Sequence, residues 1–407
     1  MITIKDSVHD HIEVDGVAAA LLDTREVQRL RHIKQLGTVQ FVYPSANHTR
    51  FEHSLGVYHL ASRALDHLGV EGMNAERVRA AALLHDVGHG PFSHNVEALT
   101  HRHTGKYHDD VDELLAEGTV GEVLRDHDLE PARVAELVRG EGKYGQVVSG
   151  ELDIDRMDYL VRDAHHTGVP YGTIDHERLV RELTFVDGEL VLAEGNVQTA
   201  ESLLVARALM NPTVYQHPVA RISKAMLRRA AEHLLADTDC TAERLRRMDD
   251  HDLLVALRNI DETAEFARRL DGRDLYKRGV WAELSDVPES VLDAPHGEIR
   301  EVEASVADAV GVEPEHVVVD VPAKPSMRES TSRVVVNGDI RQLGRQSPLV
   351  NALRTAQKNQ WRLGVYAPAD VAGAVGRAAA DELGLDIEGA LVNDVRAGEA
   401  TTLDQFD

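Results

Sequence analysis

The stretch LLHDVGHGPFSHNVE (83–97) decides the reading of this chain. It closes an apolar run, VRAAALLHDV (78–87), whose alanines and leucines cover most of a helical circumference. That pattern predicts a central buried helix capped by Asn74 and ending at Gly88. Gly88, Gly90 and Pro91 then turn the chain, and His89, His94 and Glu97 follow. Adjacent His85 and Asp86 cannot share one helical face, yet at a helix C-terminus both can converge on a cation, which the helix dipole favours there.

Two further segments supply residues of the same kind. In HTRFEHSLGV (48–57), Arg50 and His53 lie three positions apart at the entry to a helix read over 54–68, which aims both at one region. In LDIDRMDYLVRDAHH (152–166), at about 100° per residue, Asp155, Tyr159, Arg162 and His166 form one stripe flanked by Asp158 and Asp163. Ile154, Met157, Leu160, Val161 and Ala164 cover the opposite side. Alone, that stripe reads as a solvated face laced with ion pairs. Beside the other two segments it becomes a ligand face. His53, His85, Asp86 and Asp155 offer two imidazoles and two carboxylates, a set suited to manganese, iron or magnesium and compatible with zinc. Open positions on such an ion take water and a phosphate oxygen.

The 407 residues carry 69 acidic against 44 basic side chains, a formal charge of −25. That balance argues against unassisted binding to nucleic acid or an anionic membrane face. Only eight of the basic residues are lysines, and acid-rich, lysine-poor usage suits high salt, where repulsion between carboxylates is screened. A single cysteine, Cys240, leaves no internal disulfide and no thiolate zinc site. No stretch reaches the roughly 18 apolar residues that span a bilayer and none reads as a signal peptide, so the expectation is a soluble, cytoplasmic protein. The absence of a Gly-rich phosphate loop and of a Ser-His-Asp context argues against P-loop and covalent serine chemistry. Eighteen of the 22 histidines lie at or before His217, which places the chemistry in the N-terminal half.

Around these segments the pattern is mainly helical. ITIKDSVHDHIEVDGV (2–17) alternates loosely and predicts a hairpin. A helix is expected from Asp23 or Thr24 through Leu36, and Pro131 opens another. LTFVDGELVLA (183–193) reads as two strands about an Asp187-Gly188 turn. Helical patterns run from Val197 to Leu235 with breaks near Pro212 and Pro218. After about residue 285, HVVVDV, SRVVVNGDI and RLGVYAP read as strands, DVAGAVGRAAADELG as a helix, and VRAGEATTLDQFD as a loose tail. The expected fold class is mainly α, with a helical core over 1–285, short β-hairpins, and a smaller α+β C-terminal lobe over 286–407.

The ordered set His53, His85-Asp86, Asp155 resembles the HD phosphohydrolase superfamily. DTREVQRLRHIKQLG, HTRFEHSLGVYHL, LLHDVGHGPFSH, DIDRMDYLVRD and YQH, in that order, are similar to its deoxynucleoside triphosphate triphosphohydrolase branch, without a SAM domain. The likeness is dense over 1–217 and continues through RDLYK (273–277); with the composition, it suggests a haloarchaeal source. It implies an HD-domain helical core and a divalent metal held by His53, His85, Asp86 and Asp155. His89, His94 and His108 would line the α-phosphate, with Glu97 standing where the family has Asp to orient a catalytic histidine. Arg50, Arg156, Tyr159 and Arg207 would grip the triphosphate. Gln35 and Asp163 would read the 3′-hydroxyl, and Leu36 and Tyr215 would pack on the deoxyribose. The implied chemistry is metal-assisted attack of water on the α-phosphorus of a dNTP, dGTP among them, with a protonated histidine, His94 by preference, assisting departure of the 5′-oxygen.

The resemblance also implies a guanine nucleotide activator. Asp23, Gln28 and Arg31 match positions that read its base, and Arg178, Arg273 and Lys277 are placed for its phosphates. The chain departs from the family at AEGN (193–196), which lacks a basic residue, and at Pro218, which stands where a lysine is common. Relatives assemble, so a homo-oligomer, dimer or tetramer, is expected. Two alternatives stay open: an HD phosphohydrolase acting on another nucleotide or phosphate ester, and a non-catalytic nucleotide-sensing module.

Overall fold

The computed structural model describes residues 1–150, 152–325 and 332–386; the expected tail lies outside them. The fold is mainly helical, with three small sheets and an α+β C-terminal region. A hairpin, β1 (Ile2–Asp6) and β2 (Asp10–Val14), opens the chain as expected. The helix expected through Leu36 is shorter. It runs over Arg25–Arg29, tightens to a 3-10 turn at Leu30–His32, and gives way to extended backbone at Ile33. Tertiary bonds win over local propensity here. The Arg29 guanidinium donates to the carbonyls of His89, Arg246, Arg247 and Met248, and the Lys34 amide donates to Asp250.

Helix α1 (Arg50–His67) begins at Arg50 rather than at Ser54. Thr49 and Glu52 close a capping box: Glu52 Oε2 accepts from the Thr49 amide at 2.6 Å and from its hydroxyl at 2.9 Å. Arg50 and His53 therefore sit in the first turn, buried. Helix α2 (Gly72–Leu84) is buried through Ala80–Leu84, starts ahead of Asn74 and stops short of Val87. The amides of Val87 and His89 turn back onto the carbonyls of Leu84 and Asp86, so His85 and Asp86 leave the helix end in a tight turn. Gly88 is required there, because a β-carbon would fall 2.0 Å from the His108 carbonyl oxygen.

Phe92 and Ser93 both take positive φ, 54° and 58°, just ahead of α3 (His94–Thr104). Such backbone is strained for non-glycine residues and persists only when its surroundings hold it. Asp250 accepts from the Phe92 amide at 2.5 Å, while the Ser93 hydroxyl donates to the Lys34 carbonyl and accepts from Arg50 Nε. Helix α4 (Ile154–Thr167) is capped by Asp153, which accepts from the Arg156 amide, and ends at left-handed Gly168. It packs against α1, and its polar stripe is not a solvated face: Asp158 and Arg162 are completely buried.

Beyond α4, the hairpin β3 (Leu183–Val186) and β4 (Glu189–Leu192) turns at Asp187 and Gly188, both at positive φ, as a two-residue primed turn requires. Helix α5 (Val197–Met210) runs into a π-helical turn at Asn211–Tyr215, and α6 (Pro218–Asp237) follows. Strand β5 (Lys277–Glu283), β6 (Val318–Asp320) and β9 (Arg362–Ala367) form an antiparallel sheet in the order β5-β9-β6. The hairpin β7 (Arg333–Val336) and β8 (Asp339–Gln342) adds to β4, with Leu192 opposite Val334 in parallel. Among the described residues no helix is long and apolar enough to cross a membrane.

Replacing the box acceptor, Glu52→Ala, is expected to lower stability by about 1 kcal/mol. The urea midpoint should fall at unchanged slope; an unmoved midpoint would mean that the box does not set the start of α1.

Candidate metal centre

Three elements deliver four ligand atoms to one place. His53 comes from the first turn of α1, His85 and Asp86 from the end of α2, and Asp155 from the first turn of α4. The two imidazole Nε2 atoms face each other at 3.3 Å. Asp155 Oδ1 lies 2.8 Å from His53 Nε2 and 3.7 Å from His85 Nε2, and the Asp86 oxygens lie 3.8 and 3.4 Å from the same two nitrogens. Neighbouring ligands on an ion bound at about 2.0–2.2 Å are about 3 Å apart; His53, His85 and Asp86 come within 4.8 Å of one another, and Asp155 approaches from the His53 side.

The tautomers agree with that reading. His85 Nδ1 is 2.8 Å from the Ala82 carbonyl and His53 Nδ1 is 2.8 Å from Asp158, so each ring donates its Nδ1 proton and turns an Nε2 lone pair into the cluster. Two facing lone pairs beside two carboxylates call for positive charge. Without a cation, a proton on His53 Nε2 stands in for it: burial opposes a charge on the ring, but hydrogen bonds to Asp155 and Asp158 and the charge of Asp86 lift its pKa to about 10, and a metal ion takes the lone pair only by displacing that proton. Asp86 is driven the other way: burial raises it, but Arg50, His85 and His89 hold it well below the carboxylate range. The residues present fit a divalent cation. Asp155 stays 36% exposed, so the cluster opens to solvent on the α4 side.

Arg50, expected on the triphosphate, lies on Asp86 itself, with Nη1 2.8 Å from both oxygens. Next to Asp86 is a second group of His89, His94, Glu97 and His108, whose ligand atoms also lie within 4.8 Å of one another. Glu97 spends both oxygens on imidazoles: Oε2 is 2.7 Å from His94 Nδ1 and Oε1 is 2.5 Å from His108 Nδ1. His89 stacks on His108 with centroids 4.1 Å apart, and its Nε2 is 3.3 Å from Asp86. The glutamate side chain is long enough to reach both rings. Loss of water, then the charges of Arg50 and His108, lower His94 despite Glu97, whereas Glu97 raises His108 against the cost of its burial. His108 is the ring that more readily carries the charge.

The sugar-side residues also meet. Tyr215, presented by the π-helical turn, donates to Asp163 at 2.9 Å, and His48 reaches the other Asp163 oxygen at 2.9 Å. Tyr159 stands between the two groups, with ring centroids 6.5 Å from His53 and 6.2 Å from Tyr215. The charges of Arg156 and Arg207 both reach Tyr159, and Arg207 reaches Tyr215. Gln35 is buried and Leu36 packs on the core nearby in sequence. The residues expected to bind an activator fall in three places. Arg31 stacks on Phe51 and donates to Gln28, just past Asp23; Arg178 donates to Asn196; Arg273 donates to the Phe41 carbonyl, with Lys277 on β5. Among the described residues, no hydrogen bond or ion pair joins these three places.

The sequence reading placed Asp158 beside the stripe without giving it a role, and passed over His48, Arg29 and the hairpin residues Asp6 and His9. Asp158 carried a local signal, its i,i+4 spacing to Arg162, but a buried pair and an exposed one share that spacing.

Removing Arg50 from its buried pair, as in Arg50→Met, is expected to cost the metal-free chain about 3–5 kcal/mol. Mn2+ should then stabilise the variant more than the parent in paired unfolding curves. Unchanged metal-free stability would contradict the pairing.

The comparisons with known proteins point the same way. Residues 50–163 match the HD domain family and residues 174–394 match the HD associated region. An uncharacterised protein of Methanocaldococcus jannaschii is 32% identical over 376 residues, covering 90% of this chain and 79% of that one. The deoxynucleoside triphosphate triphosphohydrolase SAMHD1 homolog of Dictyostelium discoideum is 30% identical over 269 residues, covering 61% of this chain and half of that protein. The crystal structure of a phosphohydrolase from Bacteroides thetaiotaomicron superposes with a TM-score of 0.71 at 26% identity, over 90% of this chain and all of that one. The chain belongs to the HD-domain family, with the HD-associated region following the HD domain.

Proposed function

We propose that this chain is a metal-dependent phosphohydrolase that converts dNTPs, dGTP among them, to the deoxynucleoside and intact inorganic triphosphate. The observation that carries the reading is the meeting of His53, His85 and Asp86 ligand atoms within 4.8 Å of one another, with Asp155 Oδ1 2.8 Å from His53 Nε2, beside a histidine pair joined through Glu97. A divalent ion, when bound, supplies Lewis acidity and a nucleophile at neutral pH. The chain's own groups do the rest. His53 and His85 keep their lone pairs aimed by donating Nδ1–H to Asp158 and the Ala82 carbonyl. Glu97 orients both histidines and stabilises the imidazolium at His108; either ring can pass a proton to a departing 5′-oxygen. Arg156 and Arg207 supply charge at Tyr159, where a polyphosphate needs it.

Support for a deoxynucleotide comes from the Tyr215–Asp163 bond, which sets a phenol ring and a carboxylate together one residue layer from the ligands. The name of the Dictyostelium relative agrees. Activation by a guanine nucleotide through Asp23, Gln28, Arg31, Arg178, Arg273 and Lys277 is part of the same proposal. It requires residues in three separate places on one chain, as an oligomer can supply.

Purified protein in concentrated KCl with Mn2+ or Mg2+ should release triphosphate from dNTPs, more with GTP present, as resolved by anion exchange. Pyrophosphate or single phosphates as the first product would overturn the bond assignment, and turnover confined to other phosphate esters would move the substrate. Asp155→Asn removes a ligand and should lower turnover by more than about 100-fold, beyond what changing a supporting group costs. Near-parental turnover would contradict the centre.

A further inference from the structure

The carboxylate of Asp158 has four donors and no exposure. Oδ2 is 2.8 Å from both His53 Nδ1 and Arg162 Nε; Oδ1 is 2.6 Å from His9 Nε2 and 3.0 Å from Arg162 Nη2. The Arg162 guanidinium is shared with Asp6, at 2.9 and 3.3 Å. Asp6 also accepts from the amides of Val8 and His9, which folds the turn that presents His9. Two residues of the β1–β2 hairpin thus close the network behind His53. Space for it depends on Gly56, where a β-carbon would fall 1.9 Å from Asp158 Oδ1. The four donors saturate Asp158, so it cannot rotate away from His53 without breaking several buried charge-assisted bonds.

We propose that the N-terminal hairpin is a working part of the metal centre: His9 and Asp6 hold Asp158 and Arg162 in place, and Asp158 holds the His53 ring with its Nε2 turned to the cation. Asp6 and His9 are positioning residues, acting through Asp158, and the inference rests on the metal reading given above. Loss of the hairpin contact frees the His53 ring and loosens the ion without touching a ligand.

The test is Mn2+ affinity of the full chain by equilibrium dialysis, with the unfolding midpoint of each metal-free variant measured alongside. Groups that directly support a ligand change metal affinity by about 10- to 100-fold, so His9→Phe and Asp6→Asn, one bond further out, should weaken Mn2+ by about 3- to 10-fold. His9→Gln keeps an N–H donor for Asp158 and should recover affinity to within about twofold. Should His9→Phe fail to fold, Asp6→Asn and His9→Gln carry the comparison. Folded His9→Phe or Asp6→Asn binding Mn2+ as tightly as the parent would overturn the hairpin's role, as would a His9→Gln variant no better than His9→Phe. A parent that binds no Mn2+ would instead defeat the metal reading, and this inference with it.

Discussion

Three carboxylates, Asp86, Asp155 and Asp158, are gathered around one buried imidazole, and the rest of the site follows from the need to neutralise them. A buried ion costs several kcal/mol unless it is paired and hydrogen-bonded. Arg162 and His9 satisfy Asp158 from behind, and Arg50 satisfies Asp86 from the side. What remains is the space between Asp86, Asp155 and the two Nε2 atoms, where the metal-free chain has only the His53 proton to set against two carboxylates. A divalent cation would complete the charge balance there, and the opening beside Asp155 would give it a face toward solvent.

The same economy bears on how a chain of charge −25 would take the polyanion proposed as its substrate. Cations need to be local rather than numerous. Arg156 and Arg207 bring charge to Tyr159, beside the ligands, and both are arginine, whose planar fork matches phosphate oxygens. Glu97 adds a second device, an anion clamped between His94 and His108 that lets one imidazole stay charged beside an arginine.

Much of the ligand set was legible because its members lie at helix ends: His85 and Asp86 at the stop of an apolar run, Arg50 and His53 at a start, Asp155 just after a capping Asp153. The hairpins at 2–14 and 183–192 were also readable, from alternation and turn residues. The losses have a common cause. Long-range bonds override local pattern at Arg29, whose carbonyl contacts end a helix that the periodicity carries on to Leu36. They also bury the α4 stripe, since Asp158 meets His9 from 149 positions away, a pairing no local spacing encodes. The charge balance between His94 and His108 is likewise set in three dimensions, by Arg50 and Glu97.

The central claim is that His53, His85, Asp86 and Asp155 form a single cation seat. Anomalous diffraction at the manganese edge from crystals grown with Mn2+ tests it most directly. A single strong peak about 2.0–2.3 Å from Nε2 of both histidines and one oxygen of each aspartate is the predicted result. A peak seated instead among His89, His94, Glu97 and His108, or none between the four ligands, would contradict it.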